Sequence, residues 1–217
     1  MENSEDPGRI LLINKPLEWT SFDVVNKLRY KLKIKKIGHA GTLDPLATGL
    51  LIICVGKMTK RIEEFMGQEK EYTGKFILGQ TTVSHDLETP VTISSDVSHL
   101  TPQVIMDTAK QFIGKINQLP PQHSAIRIKG KRAYEFAREG REIELTSREV
   151  MVSAFDIVDI RMPAVSFRIV CSKGTYIRSL ARDFGNALQV GAYLCELCRT
   201  RIGEYKLADA CTLDQIS

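Results

Sequence analysis

With 217 residues, 43% hydrophobic and 26% charged, the chain can build one large or two small domains and has the make-up of a soluble globular enzyme. A formal net charge of +4 and a pI near 8.8 exclude an acidic protein and fall short of a dedicated nucleic-acid module. No apolar run approaches the ~20 residues of a membrane span, so no membrane partner is expected.

In chain order, residues 9–13 read as a short strand leading into a turn at Asn14, Lys15 and Pro16. Thr20 or Ser21 can N-cap a helix whose buried stripe is Phe22, Val25, Leu28 and Leu32. Residues 38–49 form a loop with Gly38, Gly41, Gly49, Pro45 and a single acidic residue, Asp44. The apolar run over 50–55, bounded by Gly49 and Gly56, predicts a buried strand. A short helix over 59–66 follows, with Ile62, Phe65 and Met66 inward. Residues 71–78 alternate Tyr72, Gly74, Phe76 and Leu78, the pattern of a half-buried strand. Residues 84–98 are polar, aperiodic and broken by Pro90, hence a long surface loop.

Thr101 and Pro102 open a helix bearing Ile105, Ala109, Phe112 and Ile113, which Gly114 ends. Residues 115–140, punctuated by Pro120, Pro121 and Gly130, read as an excursion from the core with a strand over 124–128 and a basic helix over 132–138. Strands over 150–160 and 165–171 return to the core. Thr175 can cap a helix with Ile177, Leu180, Ala181, Phe184 and Leu188 inward. A strand over 193–202 and a helix starting at Thr212 complete the chain. Strands outnumber helices and alternate with them irregularly, which predicts an α+β fold around a mixed sheet.

Charge is unevenly spread. Lys27, Arg29, Lys31, Lys33, Lys35 and Lys36 crowd one segment, and Arg127, Lys129, Lys131, Arg132, Arg138 and Arg141 a second. With Arg178, Arg182, Arg199 and Arg201 they point to an anionic partner. The five cysteines are odd in number and scattered, and the first eight residues are polar, so reduced thiols in the cytoplasm are expected. Cys195 and Cys198 have C-x-x-C spacing but no second pair and no nearby histidine, so no metal is expected.

Two places could carry chemistry. Glycines let backbone approach a ligand, and Pro45 restricts Asp44 to an extended conformation, so one carboxylate is held at a fixed angle, as a nucleophile or base requires. Taken alone, a single aspartate in a glycine-rich loop is better read as capping a backbone N–H in a surface turn, so the rest of the chain has to decide. Near the start of the helix after Gly174, Arg178 is not placed for the helix dipole. It is either an inconsequential surface residue or the partner of a carboxylate, whose pKa it would lower. Tyr72 is by default a core aromatic, but in a cleft its ring could stack on a base.

Asn14-Lys15-Pro16 with Thr20-Ser21, the 38–49 loop, Lys70-Glu71-Tyr72, Ser124-Ala125, the run from Gly130 to Glu135 and the run from Ser172 to Arg178 occur in this order over nearly the whole chain. In these motifs the chain resembles the TruB family of tRNA pseudouridine synthases. The resemblance implies the pseudouridine synthase fold, a mixed, mostly antiparallel sheet flanked by helices and loops, as a single catalytic domain over 1–217. It implies a thumb-like RNA-binding insertion at about 115–150, and no C-terminal PUA domain is expected. It also implies isomerisation of uridine 55 in the tRNA T-loop, without metal or organic cofactor, by a monomer binding the T-loop and stem.

By the same resemblance Asp44 is the nucleophile, attacking the flipped uridine at ribose C1′ or base C6. Tyr72 stacks on the base and can accept the C5 proton, and Arg178 pairs with the nucleophile. Tyr176 and Leu197 line the pocket, His39 packs where the base is extruded, and Lys15 and Arg199 are further substrate contacts. The chain departs from the family pattern at Asn14 (usually Asp), Glu18 (usually Gly) and His123 (usually Tyr); the first two are expected to alter only the turn, and the third bears on RNA contact. A non-catalytic RNA-binding or tRNA-folding module, and a pseudouridine synthase acting on another RNA, are the competing readings.

Overall fold

The computed structural model describes residues 8–122, 127–128, 131–132, 136 and 143–216. Its strands are β1 (Arg9–Lys15), β2 (Ile37–Ala40), β3 (Ala47–Val55), β4 (Lys70–Leu78), β5 (Gln80–Thr82), β6 (Val91–Ser94), β7 (Gly114–Gln118), β8 (Arg127–Ile128), β9 (Lys131–Arg132), β10 (Arg148–Arg161), β11 (Ala164–Cys171), β12 (Ala192–Ile202) and β13 (Tyr205–Lys206). The α-helices among the described residues are α1 (Ser21–Leu32), α2 (Ile62–Gly67), α3 (Pro102–Lys110) and α4 (Ile177–Ala187). A mixed sheet with flanking helices makes the fold α+β, as the strand-rich, irregular alternation predicts. The residues fall into two compact units, one reaching to Thr73 and resuming at Glu196, the other Gly74–Cys195, so β4 and β12 each contribute to both.

In the first unit β3 is the axis. It is apolar and wholly buried from Leu50 to Val55, with Leu51, Ile53 and Val55 on one face and Leu50, Ile52 and Cys54 on the other. The first face packs with Val24, Val25 and Leu28 of α1, the second with Ala40, Phe65 and Ile202. Burial on both faces is why the run is continuous rather than alternating. β1 lies antiparallel along one edge of β3, from Arg9 opposite Val55 to Lys15 opposite Gly49. Asn14 and Lys15 therefore belong to a strand, not to the expected turn.

The other edge of β3 is split. β12 runs parallel to it only at Ala47, Thr48 and Gly49, and β2 pairs antiparallel only from Ile52 to Val55. The chain connecting β2 to β3, residues 41–46, leaves the sheet beside this gap. Gly49 sits at φ 103°, and a side chain there would strike the Arg199 backbone. Glycine is what lets β12 approach so closely.

α1 begins where the sequence indicates. Thr20 and Asp23 form a capping box, with Thr20 N donating to Asp23 Oδ2 at 2.9 Å and Asp23 N to Thr20 Oγ1 at 3.0 Å. Its buried stripe is Val24, Val25 and Leu28; Phe22, expected inside, is 55% exposed, its ring 5.6 Å from the Arg29 guanidinium. The helix expected over 59–66 is a 3₁₀ turn (Gly56–Arg61) followed by α2, and Met66 is exposed.

In the second unit β4 neighbours β11, which pairs β10, which pairs β7. Phe76, Phe112, Phe155, Phe167 and Phe184 form its aromatic centre, with Phe76 and Phe167 centroids 4.2 Å apart. Residues 114–118 pair with 148–152, so the excursion expected from 115 starts only after a further sheet strand. The loop expected over 84–98 contains β6, which pairs with β5, and it buries Ser84 and Asp86. Ile113 is exposed rather than inward, Tyr176 rather than Thr175 is the N-cap of α4, and the helix expected from Thr212 is a single 3₁₀ turn, Leu213–Gln215. Apart from β8, β9 and Phe136, the elements expected over 124–128 and 132–138, and His123, lie outside the described residues; Arg132, expected in a helix, is in β9. Cys195 and Cys198, three apart on β12, point to opposite sheet faces, and among the described residues no cysteine is in a disulfide.

Replacing Gly49 by Ala adds a Cβ at a left-handed φ against β12 backbone. Urea unfolding of G49A is expected to show a loss of at least about 2 kcal/mol. A change below about 0.5 kcal/mol, the range of an ordinary surface substitution, would contradict the close strand approach.

Candidate active site

Asp44, half-buried, sits in the 41–46 connection, and the backbone on both sides of it is tied down. Ser21 at the start of α1 closes on Leu43 twice: Leu43 N donates to Ser21 Oγ at 2.9 Å, and Ser21 Oγ–H donates to Leu43 O at 3.2 Å. Pro45 O accepts from Glu18 N at 2.8 Å and from Lys15 Nζ at 3.3 Å. Asp44 O accepts from Ala47 N at 3.1 Å, closing a turn, and Gly41 O accepts from the Arg199 guanidinium at 3.0 Å. Main-chain groups at residues 41, 43, 44 and 45 thus each have a named partner. With Pro45 restricting Asp44, the loop has little freedom left.

Lys15 is fully buried, its ammonium donating to Pro16 O at 2.8 Å and Trp19 O at 2.5 Å besides Pro45 O. Burial pushes its pKa down to about 8, the neighbouring Asp44 carboxylate works against that fall, and Arg199 adds to it. The loop carrying Asp44 is therefore flanked by two buried cations. Both Lys15 and Arg199, expected as RNA contacts, are enclosed and turned to main-chain carbonyls; Arg199 is 1% exposed. Glu18, where the family usually has glycine, adopts φ 66°, and the turn keeps its N–H on Pro45 O. His39 lies half-buried on β2 opposite Ile53. Leu197 lies half-buried on β12 opposite Ala47, and Tyr72 is buried on β4.

The second unit holds Tyr176 and Arg178 at the start of α4. The fully buried Gln118 side chain clamps Tyr176 like a peptide group, accepting from its N–H at 2.8 Å and donating to its C=O at 3.1 Å. The Arg148 guanidinium lies 4.8 Å from the Tyr176 ring centroid and donates to Gly174 O. Arg178 is buried, with one terminal nitrogen 3.5 Å from Asp86 Oδ2 and 3.4 Å from Ser84 O. A guanidinium this deep requires a buried carboxylate, and Asp86 supplies it. Beside them burial pushes His85 down to about 4, with Arg182 and Arg178 adding to the fall, so His85 is neutral near pH 7.

Asp86, Gln118 and Arg148 were not singled out from sequence, and Ser21 only as a candidate helix cap and part of a family motif, not as an anchor of the Asp44 loop. Asp86 lies in a polar, aperiodic stretch where only its pairing with Arg178 gives burial a reason. Among the described residues no group of three or more His, Cys, Asp or Glu side chains is placed to hold a metal ion, and no helix is long and apolar enough to cross a membrane.

This architecture has solved counterparts. A pseudouridylate synthase crystal structure superposes with TM-score 0.50 at 16% identity, over 95% of this chain and 68% of that one. A chain of a Cbf5–Nop10–Gar1 complex superposes with TM-score 0.75 at 29% identity, over 95% of this chain and 53% of that one, so this chain spans about half its length. The fold is that of the pseudouridine synthases.

Sequence relationships narrow the class. The model of the TruB family pseudouridylate synthase N-terminal domain matches residues 29–177, and that of the tRNA pseudouridylate synthase B C-terminal domain matches 178–217. The tRNA pseudouridine synthase B of Flavobacterium johnsoniae is 54% identical over 210 residues, 94% of this chain and 92% of that protein. The chain belongs to the TruB family of pseudouridylate synthases, enzymes of the isomerase class.

His85 makes a pH prediction for the second unit. Its folded pKa, about 4, lies below the ordinary 6.5, so the unfolded chain takes up the proton first. The stability it contributes is present above pH 6.5 and lost as pH falls towards 4. His85→Asn keeps a residue tolerant of the left-handed φ of 61° and removes the titration. The thermal midpoint of the unmutated protein is expected to fall more steeply over that interval than that of H85N; parallel curves would contradict a neutral, half-buried His85.

Proposed function

We propose that this chain converts uridine 55 in the T-loop of tRNA to pseudouridine, with Asp44 as the nucleophile. The observation that carries the reading is the fixed loop: a carboxylate flanked by backbone anchored at Gly41, Leu43 and Pro45, with two buried cations beside it. A binding module gains nothing from a half-buried negative charge beside phosphates, whereas a nucleophile must be ionised and aimed. Support for tRNA comes from the relatives' name and from the basic segments of the chain.

The isomerisation breaks the N1–C1′ bond, forms a C5–C1′ bond and moves one proton from C5 to N1. The uridine has to leave its stack, which takes a few kcal/mol, and aromatic faces repay part of it. Tyr72 is the group assigned to stack on the base and accept the C5 proton. Tyr176 and Leu197 are assigned contacts with the base, and His39 the place the base vacates. Arg178 is assigned the electrostatic partnership with the nucleophile; within their own unit Tyr176 is held by Gln118 and Arg178 pairs with Asp86. If Asp44 attacks C1′, the N1–C1′ bond breaks and the carboxylate is displaced when C5 joins C1′; if it adds to C6, it leaves by elimination as C5 loses its proton after C5 has joined C1′.

Incubation of unmodified tRNA with the protein and with Asp44→Asn, followed by pseudouridine mapping, tests this. The unmutated protein is expected to modify one T-loop uridine. D44N should bind the same tRNA and convert it at least about 1,000-fold more slowly. Retained conversion by D44N would remove Asp44 as nucleophile, and tight binding without conversion by the unmutated protein would favour the binding-module reading.

A further inference from the structure

The split edge of β3 leaves a problem of unpaired backbone. β12 pairs with β3 as far as Gly49 and β2 pairs from Ile52, so among the described residues neither strand gives Leu50 a ladder partner on that side. Its carbonyl is buried, and a buried carbonyl without a donor is destabilising. The donor is a side chain: Arg199 Nε–H reaches Leu50 O at 2.8 Å. A terminal nitrogen of the same guanidinium donates to Gly41 O at 3.0 Å. Gly41 is the first residue after β2 and stands three before Asp44.

The delivery of this side chain is set by the strand crossing. Arg199 is the residue of β12 opposite Gly49, where the missing Cβ allows the two backbones to close up. From there the guanidinium reaches the stretch of β3 between its pairing with β12 and its pairing with β2. A planar fork of N–H donors can satisfy two carbonyls at fixed angles at once; an ammonium, with its donors at one point, cannot reproduce that geometry.

We propose that Arg199 is a positioning residue for the pseudouridylation reaction, its guanidinium serving Leu50 O in place of a strand N–H and fixing the Gly41 end of the loop that carries Asp44. It does so without touching RNA, since its side chain is enclosed. Lys15 does the corresponding work at the Pro45 end. The kinetic part of this proposal rests on the reading of Asp44 as the attacking group.

The test compares Arg199→Lys, which keeps the charge and one possible carbonyl contact, and Arg199→Gln with the unmutated protein. RNA affinity and single-turnover rate are measured at saturating T-loop RNA, and amide hydrogen exchange on the RNA-free proteins. R199K is expected to bind RNA within about 2-fold of the unmutated protein and to react about 10- to 100-fold more slowly, the size of effect a misplacement near 1 Å produces. Exchange at Leu43 and Ala47 should quicken while that at residues 52–55 stays slow. R199Q should follow the same pattern more strongly; if it does not fold, R199K carries the test. Weakened RNA binding with an unchanged saturated rate would make Arg199 an RNA contact, and unchanged rate and exchange in R199K would equally overturn the proposal. If the unmutated protein modifies no RNA, the functional reading fails, and the exchange data still decide whether Arg199 fixes the loop.

Discussion

Charged donors buried against main-chain carbonyls hold this structure's central loop. A loop of six residues carrying one acid could be floppy, and a floppy nucleophile reacts slowly because each encounter must first find the right geometry. Here Lys15 and Arg199 are enclosed, their hydrogen bonds go to backbone, and the carbonyls they hold lie on either side of Asp44. Hydrogen bonds involving a charged group contribute about 1.5–3 kcal/mol each, and losing the donor leaves a buried carbonyl unsatisfied as well. Two like charges this close to each other oppose burial, and Asp44 offsets them; the Asp44 carboxylate favours the charged form of Lys15 while Arg199 disfavours it. The carboxylate is therefore part of what stabilises the frame that presents it.

The second unit meets a similar demand by other means. Tyr176 is held through its peptide groups by a buried glutamine, and Arg178 through a carboxylate supplied by a short irregular segment between two strands. Both anchors are polar, buried and paired, the condition under which polar groups belong in an interior. Each pairing is long-range in sequence: Gln118 and Tyr176 are far apart, as are Asp86 and Arg178. That is why none of the anchors can be found by local periodicity.

The sequence was legible where a single physical rule dominates. The 50–55 run is apolar because both faces of β3 are covered, Thr20 and Asp23 announce α1 through a capping box, and the alternation over 165–171 marks β11. It was misleading where an exposed residue mimics a buried pattern. Phe22 fits the helical stripe but lies outward beside Arg29, and Met66 and Ile113 behave likewise. Residues 114–118 have the composition of a loop yet form a strand, since pairing with β10 and not apolar content holds them. The glycine and proline pattern around Asp44 was visible at once. Lys15 and Arg199 were named, but as substrate contacts; their burial against the loop was not visible, because an exposed and a buried cation look alike in a sequence. The TruB likeness supplied the family, and the family match along the chain bears it out.

What most directly tests the account is the stiffness of the Asp44 loop before any RNA arrives. Backbone ¹⁵N relaxation on the RNA-free protein would give order parameters for Leu43, Asp44 and Ala47 alongside those for Ile52 and Ile53 in β3. A loop built by Ser21, Lys15 and Arg199 should match the strand, with values near about 0.85; values below about 0.6 at Leu43 and Asp44 would mean that RNA, not the protein, shapes the site.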